Sequence, residues 1–195
     1  MGKISLLVIG VIIAAVVMWG ISGYNKLVGL DESVNTAWSQ VENQYQRRSD
    51  LIPNLVNTVK GVAKFEKETY TAVTEARAKA GQIKMTADML NDPQAMQKFQ
   101  AAQDGLSSAL SRLLVTVERY PELKANENFL QLQAQLEGTE NRISVERRKF
   151  NEVVKTYNTT IKRFPMNIIA NFTGFSQKQY FKAVAGSEQA PKVEF

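Results

Sequence analysis

The chain contains neither cysteine nor histidine. Without thiols there is no disulfide framework and no thiolate nucleophile, and thiols give no reading of the redox compartment. Without imidazole the commonest general base and the preferred borderline metal ligand are missing. A di-iron centre in a helical bundle would need two Glu-x-x-His pairs. Carboxylates alone could bind calcium or magnesium weakly, but no Asp-x-Asp-x-Asp-Gly loop is present. Glu66 and Glu68 stand two residues apart, point to different helix faces and cannot flank one bond. No catalytic, metal or cofactor site is therefore expected. An excess of one charge is also lacking: 24 Lys and Arg against 19 Asp and Glu leave a net +5. The charges are mixed within segments such as Glu146-Arg147-Arg148-Lys149, so a nucleic-acid partner is not expected. Finally, no segment alternates with period two, which excludes half-buried strands and predicts an all-α chain.

What is present begins with an apolar run. Ile4 to Ile21 carries no charge and no proline, and as a helix it would reach roughly 27 Å, against a hydrocarbon core of about 30 Å. This predicts a transmembrane anchor over residues 1–23 with the lipid bilayer as its partner. A cleaved signal peptide is the competing reading, but its apolar core is shorter, roughly 7 to 15 residues. Lys3 precedes the run, while Lys26 follows it, diluted by Asp31 and Glu32. That balance leans towards a cytoplasmic N-terminus and a body outside the cytoplasm.

From Leu27 onward, apolar residues recur at three and four: Leu27, Leu30, Val34, Trp38, Val41, Tyr45, then Ile52, Leu55, Val59, Val62, Phe65 and on through Val73 and Ala76. The stripe keeps its phase across Pro53, although proline forfeits the bond to the Ser49 carbonyl. One long kinked helix to about Ala80 is the expectation, with Gly81 as its C-cap. Asp92-Pro93 is an N-cap followed by proline at the first helical position and opens a second helix, which ends near Tyr120-Pro121. A third runs from Asn126 to about Arg163. The fold expected is an antiparallel long-helix bundle of three to four helical segments over residues 24–183, followed by a flexible polar tail over 184–195. Gly61, Gly105 and Gly138 place one glycine inside each helix, and close helix approach is the expected reason.

Polar residues interrupt the apolar seams. Arg48 takes the heptad position shared by Val41 and Leu55, and Glu140, Asn141, Glu146 and Arg147 lie between Leu136 and Phe150. Antiparallel packing would bring these groups together. They would form either an ion-pair layer that fixes register or a groove for a partner. Lys162, Arg163, Phe164, Phe172 and Phe175 set basic residues beside aromatics, as a membrane-surface patch or as an ordinary helix end under a hydrophobic cap. Val193-Glu194-Phe195 has the form that a PDZ groove captures by strand addition, or is a plain chain end.

Several stretches together resemble the LemA family: Tyr24-Asn25-Lys26-Leu27-Val28, Ala37-Trp38, Arg47 to Val56, Val59-Lys60-Gly61, Val73 to Arg77, Tyr120 to Lys124, Leu136 to Ile143, Tyr157-Asn158, Arg163-Phe164-Pro165, Tyr180-Phe181 and Pro191 to Phe195. Phe65 departs from the pattern, standing where the family usually has a histidine. The resemblance implies a bacterial single-pass membrane protein with a helical body and no established enzymatic activity. It also implies genes often found beside membrane metalloproteases, and a relative in magnetosome formation. The function expected is that of a non-enzymatic adaptor in the inner membrane, with a protein partner in the envelope; the alternative is a homo-oligomeric scaffold that shapes the membrane. The candidate interaction residues are Arg47, Arg48, Asp50, Glu140, Arg142, Arg147 and Phe195.

Overall fold

Residues 2–62 and 65–182 are described in the computed structural model of the chain. They form six α-helices and no strand: α1 Gly2–Lys60, α2 Lys67–Gly81, α3 Pro93–Val117, α4 Pro121–Lys124, α5 Glu127–Lys162 and α6 Met166–Thr173. A single 3-10 turn, Ala87–Asn91, precedes α3. At 1.5 Å per residue, the 59 residues of α1 extend about 88 Å. In the first third Ile4, Leu7, Val11, Ile13, Val17 and Ile21 are all exposed. So much aliphatic surface calls for an apolar cover, and its length suits a bilayer. Among the described residues α1 alone is long and apolar enough to cross a membrane.

Beyond Gly23 the same helix becomes the spine of the body. α5 lies antiparallel along α1, α2 folds back against both α1 and α3, and α3 runs parallel to α1. The body is therefore an up-down-up-down bundle of four segments, as the heptad stripes predict. Local signals fix the helix starts. The Asp92 carboxylate accepts from the Gln94 and Ala95 amides at 2.8 and 3.2 Å, with Pro93 behind it. Asn126 Oδ1 accepts from the Phe129 amide at 3.0 Å. These are the positions where unpaired helix donors need a side-chain acceptor.

One expectation is corrected. The helix through Pro53 does not continue to Ala80: it stops at Lys60, and α2 begins only at Lys67. Past Gly61 the bonds tighten to Val62 N→Val59 O (3.2 Å) and Phe65 N→Val62 O (3.0 Å). Phe65 then turns into the core, with its ring 5.0 Å from that of Tyr120 and 6.4 Å from that of Tyr70. The apolar spacing that looks helical across this stretch serves a turn and a reversal. Gly81 is the last residue of α2 rather than its cap, which is Gln82.

The reversal answers the question Pro53 poses. Proline leaves the Ser49 carbonyl without its intrahelical donor, and Arg77 of α2 supplies one, Nε to Ser49 O at 2.8 Å. The helix passes the proline unbroken because another helix completes its hydrogen bonding. The glycine expectation is also revised. A Cβ on Gly105 would meet nothing within 4 Å, and one on Gly138 would meet only Arg142 of its own helix. The glycine that permits close approach is Gly23, where a Cβ would overlap Ile169 Cδ1 and press on Met166 Sδ at 3.2 Å.

A double-mutant cycle tests the Arg77–Pro53 relation. Arg77→Met alone is expected to destabilise the body by about 1–3 kcal/mol by leaving the Ser49 carbonyl unpaired. With Pro53→Ala in the background, the restored amide takes over and most of that loss disappears. Denaturant unfolding followed by circular dichroism reads both, and an equal cost of Arg77→Met in the two backgrounds would contradict the relation.

Candidate interaction site

The buried hydrophobic residues fall into two clusters. The membrane-proximal one is centred on Trp38, whose ring lies 5.6 Å from those of Phe99 and Phe150 and 5.9 Å from Phe181. The distal one gathers Ile52, Leu55, Val59, Leu106, Leu113, Phe129 and Leu136. Between Tyr45 of the first and Ile52 of the second sits Arg48, 1% exposed.

The Arg48 guanidinium meets three side chains from two other helices. Nη1 donates to Glu140 Oε1 of α5 at 2.6 Å and to Ser107 Oγ of α3 at 2.8 Å, while Nη2 donates to Gln103 Oε1 of α3. The face of the guanidinium lies 5.1 Å from the Tyr45 ring centre. Glu140 is half-buried, with its side chain 39% exposed. Arg48 Nε and the Tyr45 hydroxyl are buried without a hydrogen-bond partner among the described residues. Burial pushes the Tyr45 phenol pKa up, against the lowering effect of Arg147 and Arg48. The layer is thus an ion pair and hydrogen-bond network spanning α1, α3 and α5, on the register-fixing reading of the seam residues.

The other expected residues divide by exposure. Arg48 is buried inside the bundle, its two terminal nitrogens bonded to Glu140, Ser107 and Gln103. Arg47, Asp50 and Arg142 are exposed, and Asp50 accepts from Gln46 Nε2 at 2.8 Å. Arg147 is held within the bundle: its guanidinium lies 4.6 Å over the Phe181 ring, Nη2 donates to the Lys182 carbonyl at 2.9 Å, and Nη1 stands 4.0 Å from Asp104 Oδ1. Glu146 pairs with Lys149 at 2.8 Å on its own helix. Phe195 and the tail lie outside the described residues.

The sequence gives no period for the segment after Gly174, which caps α6 in the left-handed conformation at φ +80°. This segment climbs back along the bundle as an extended strap between α3 and α5. Asn158 of α5 exchanges both amide hydrogen bonds with the Lys178 backbone at 2.9 Å, and Asn151 does the same with Phe181 at 2.9 Å. The spacing fits: seven residues of helix rise about 10.5 Å, and three extended residues span about 10 Å. Gln179 N→Leu90 O (2.8 Å), Lys182 N→Gln100 Oε1 (3.0 Å) and Lys178 Nζ–Asp31 (2.9 Å) fasten the other sides. Tyr157, whose hydroxyl donates to the Ser176 carbonyl at 3.0 Å, has its pKa pushed up to about 12 by burial and then by Asp31. One signal in the sequence marks the strap: Asn158, a buried amide, follows Val154 by four on the core face of α5.

Among the described residues the strap lies in the gap between α3 and α5 up to Lys182. Above it lies a groove of ≈ 400 Å³, lined by Ser107, Leu110, Ser111 and Leu114 on α3 and by Leu136, Glu137, Glu140 and Asn141 on α5. Its aliphatic floor and carboxylate rim are suited to an amphipathic helix rather than to a small reactive molecule. Among the described residues no group of three or more acidic side chains is placed to hold a metal ion.

Removing the partners of the buried charge one at a time gives unequal costs. Glu140→Ala strands the Arg48 cation and is expected to cost about 3–5 kcal/mol. Arg48→Met removes the charge, keeps most of the stem and should cost about 1–3 kcal/mol, chiefly for unpaired Gln103 and Ser107. Urea unfolding of the two variants would show the order, and equal or reversed costs would contradict a charge compensated by Glu140.

Residues 37–195 match the family model described as the LemA family. Among curated proteins, the chain is 28% identical over 175 residues to "Magnetosome protein MamQ 1" of Paramagnetospirillum magneticum, covering 82% of this chain and 64% of that protein. It is 29% identical over 174 residues to "Magnetosome protein MamQ" of Magnetospirillum gryphiswaldense, covering 81% and 64%. It is also 25% identical over 146 residues to "Protein LemA" of Metamycoplasma hominis, covering 75% and 63%. The chain thus spans less than two thirds of the length of these relatives.

Proposed function

The chain belongs to the LemA family, and on that premise we propose that it is a non-enzymatic adaptor: a rigid helical body, fixed to a bacterial inner membrane by α1, that presents the α3–α5 groove to another envelope protein. The observation that carries this reading is the groove between α3 and α5 among the described residues. The strap, clamped by Asn151 and Asn158, occupies the membrane-proximal half of this seam. The groove joins aliphatic residues to two carboxylates, Glu137 and Glu140, a surface complementary to an amphipathic helix carrying a basic residue. Arg47, Asp50 and Arg142 are exposed on α1 and α5, outside the lining of the groove, and are candidates for a wider contact with the same partner. The balance of charge around the span favours a body outside the cytoplasm. A membrane protease is one class of partner compatible with this reading. Self-assembly into a membrane scaffold is the second reading, favoured by the relatives' printed name of magnetosome proteins.

Ser111→Trp would fill the groove from an exposed position without disturbing the packed core. After mild crosslinking in native membranes and purification of the full chain, the wild type is expected to carry a stoichiometric second protein identifiable by mass spectrometry. Ser111→Trp is expected to lose it with its helicity unchanged. Recovery of copies of this chain alone would favour the scaffold, and retention of the partner by Ser111→Trp would move its site away from the groove.

A further inference from the structure

At the membrane-proximal end of the body three large apolar side chains stand almost free: Phe164 is 81% exposed, Ile168 56% and Phe172 91%. They recur at intervals of four, and Ile168 and Phe172 share one face of α6. The other face of α6 is buried, with Ile169 and Ala170 packed in the membrane-proximal core. Gly23 of α1 is what lets α6 approach so closely. Ile168 and Phe172 also meet Ile21 and Tyr24 across an apolar groove of ≈ 380 Å³. So α6 lies beside the last turn of the apolar run and not out along the body.

We propose that α6 and the turn before it form a second membrane-contacting element, with Phe164, Ile168 and Phe172 inserted at the boundary between hydrocarbon and headgroups. Two observations name the bilayer as what covers this face. The first is continuity: α6 is packed on α1 at Gly20 to Tyr24, where a span occupying Ile4–Ile21 leaves the hydrocarbon. A run reaching roughly 27 Å has little length to spare for tilt, so α6 cannot swing away from the surface. The second is charge. Lys162 and Arg163 end α5 beside Phe164, Lys26 lies one turn above Ser22 on α1, and all three are exposed. Cations above an apolar face are the pattern of helices that lie in the interface of a phospholipid bilayer. The span alone would leave the body free to rotate and tilt about one helix. A second insertion beside it sets the orientation of the bundle, and with it the direction in which the α3–α5 groove faces. The inference rests on the reading of α1 as a span, and not on the adaptor proposal.

The absence of cysteine makes the test direct, because a single introduced thiol is labelled uniquely. Nitroxide labels on Phe164→Cys, Ile168→Cys and Phe172→Cys would be compared with Ile12→Cys in the span and Leu130→Cys at the far end of the body. Each full chain would be reconstituted in vesicles of phosphatidylethanolamine and phosphatidylglycerol, with helicity checked by circular dichroism. Collision with oxygen, which concentrates in the bilayer, and with a water-soluble nickel chelate reports depth. The expected result is an oxygen-to-nickel accessibility ratio severalfold higher at 164, 168 and 172 than at 130, approaching that at 12. A ratio at all three sites like that at 130, with 12 in the bilayer, overturns the inference and leaves the span standing. Shielding of the three sites from both reagents overturns it in favour of a protein cover. Nickel accessibility at 12 itself would remove the span and the inference together.

Discussion

The most deeply buried cation of the described residues, Arg48, ties three helices of the body together. Arg48 stands on the helix that leaves the apolar run; Glu140 of α5 compensates its charge, and Ser107 and Gln103 of α3 accept its remaining hydrogen bonds. An aliphatic residue in that slot would tolerate axial slippage, since apolar contacts are non-directional. A guanidinium does not: displacement of either partner helix leaves a charge or an amide unpaired in a low-dielectric interior. The two apolar cores on either side of the layer can therefore be filled loosely by leucines and aromatics and still meet in one register.

From that layer the rest follows in both directions along α1. Distally, the unbroken passage over Pro53 depends on Arg77, so α2 is tied to the spine by a carbonyl that proline sets free. Proximally, the Trp38 cluster and the Asn151 and Asn158 clamps hold the strap in the α3–α5 gap. From Tyr24 to Trp38 the helix rises about 21 Å, and from Phe175 to Phe181 the strap spans about 20 Å. This match is why Phe175 contacts the ring of Tyr24 and Phe181 that of Trp38. Distal to the described part of the strap, a groove lies between α3 and α5 beside Glu140.

Much of this was legible in the residues, and what was not has definite causes. Helix phase, the Asp92 cap, the helix start at Asn126 and the lost Ser49 bond are local and were readable. Arg48 and Glu140 were visible as polar breaks in apolar stripes. Gln103 and Ser107 escaped notice because they sit on a third helix whose axial position no local pattern fixes. The donor to Ser49 was equally hidden: nothing near Arg77 states that α2 folds back. The reversal at residues 61–66 was missed because Val59, Val62 and Phe65 keep helical spacing while serving a turn. The strap has no period at all, being held by side-chain amides of another element, and Gly23 looked like one more small residue near the apolar run.

The most direct test of the central claim is a distance across the layer. Nitroxide labels on Asn43→Cys of α1 and Val145→Cys of α5, both exposed, would report axial register by double electron–electron resonance. This would be done with and without Arg48→Met, under conditions where both proteins keep their helicity. The account predicts one narrow distance distribution with Arg48 in place, and a broadened or multiple one with methionine there. An unchanged narrow distribution would show that packing of the two apolar cores sets the register by itself.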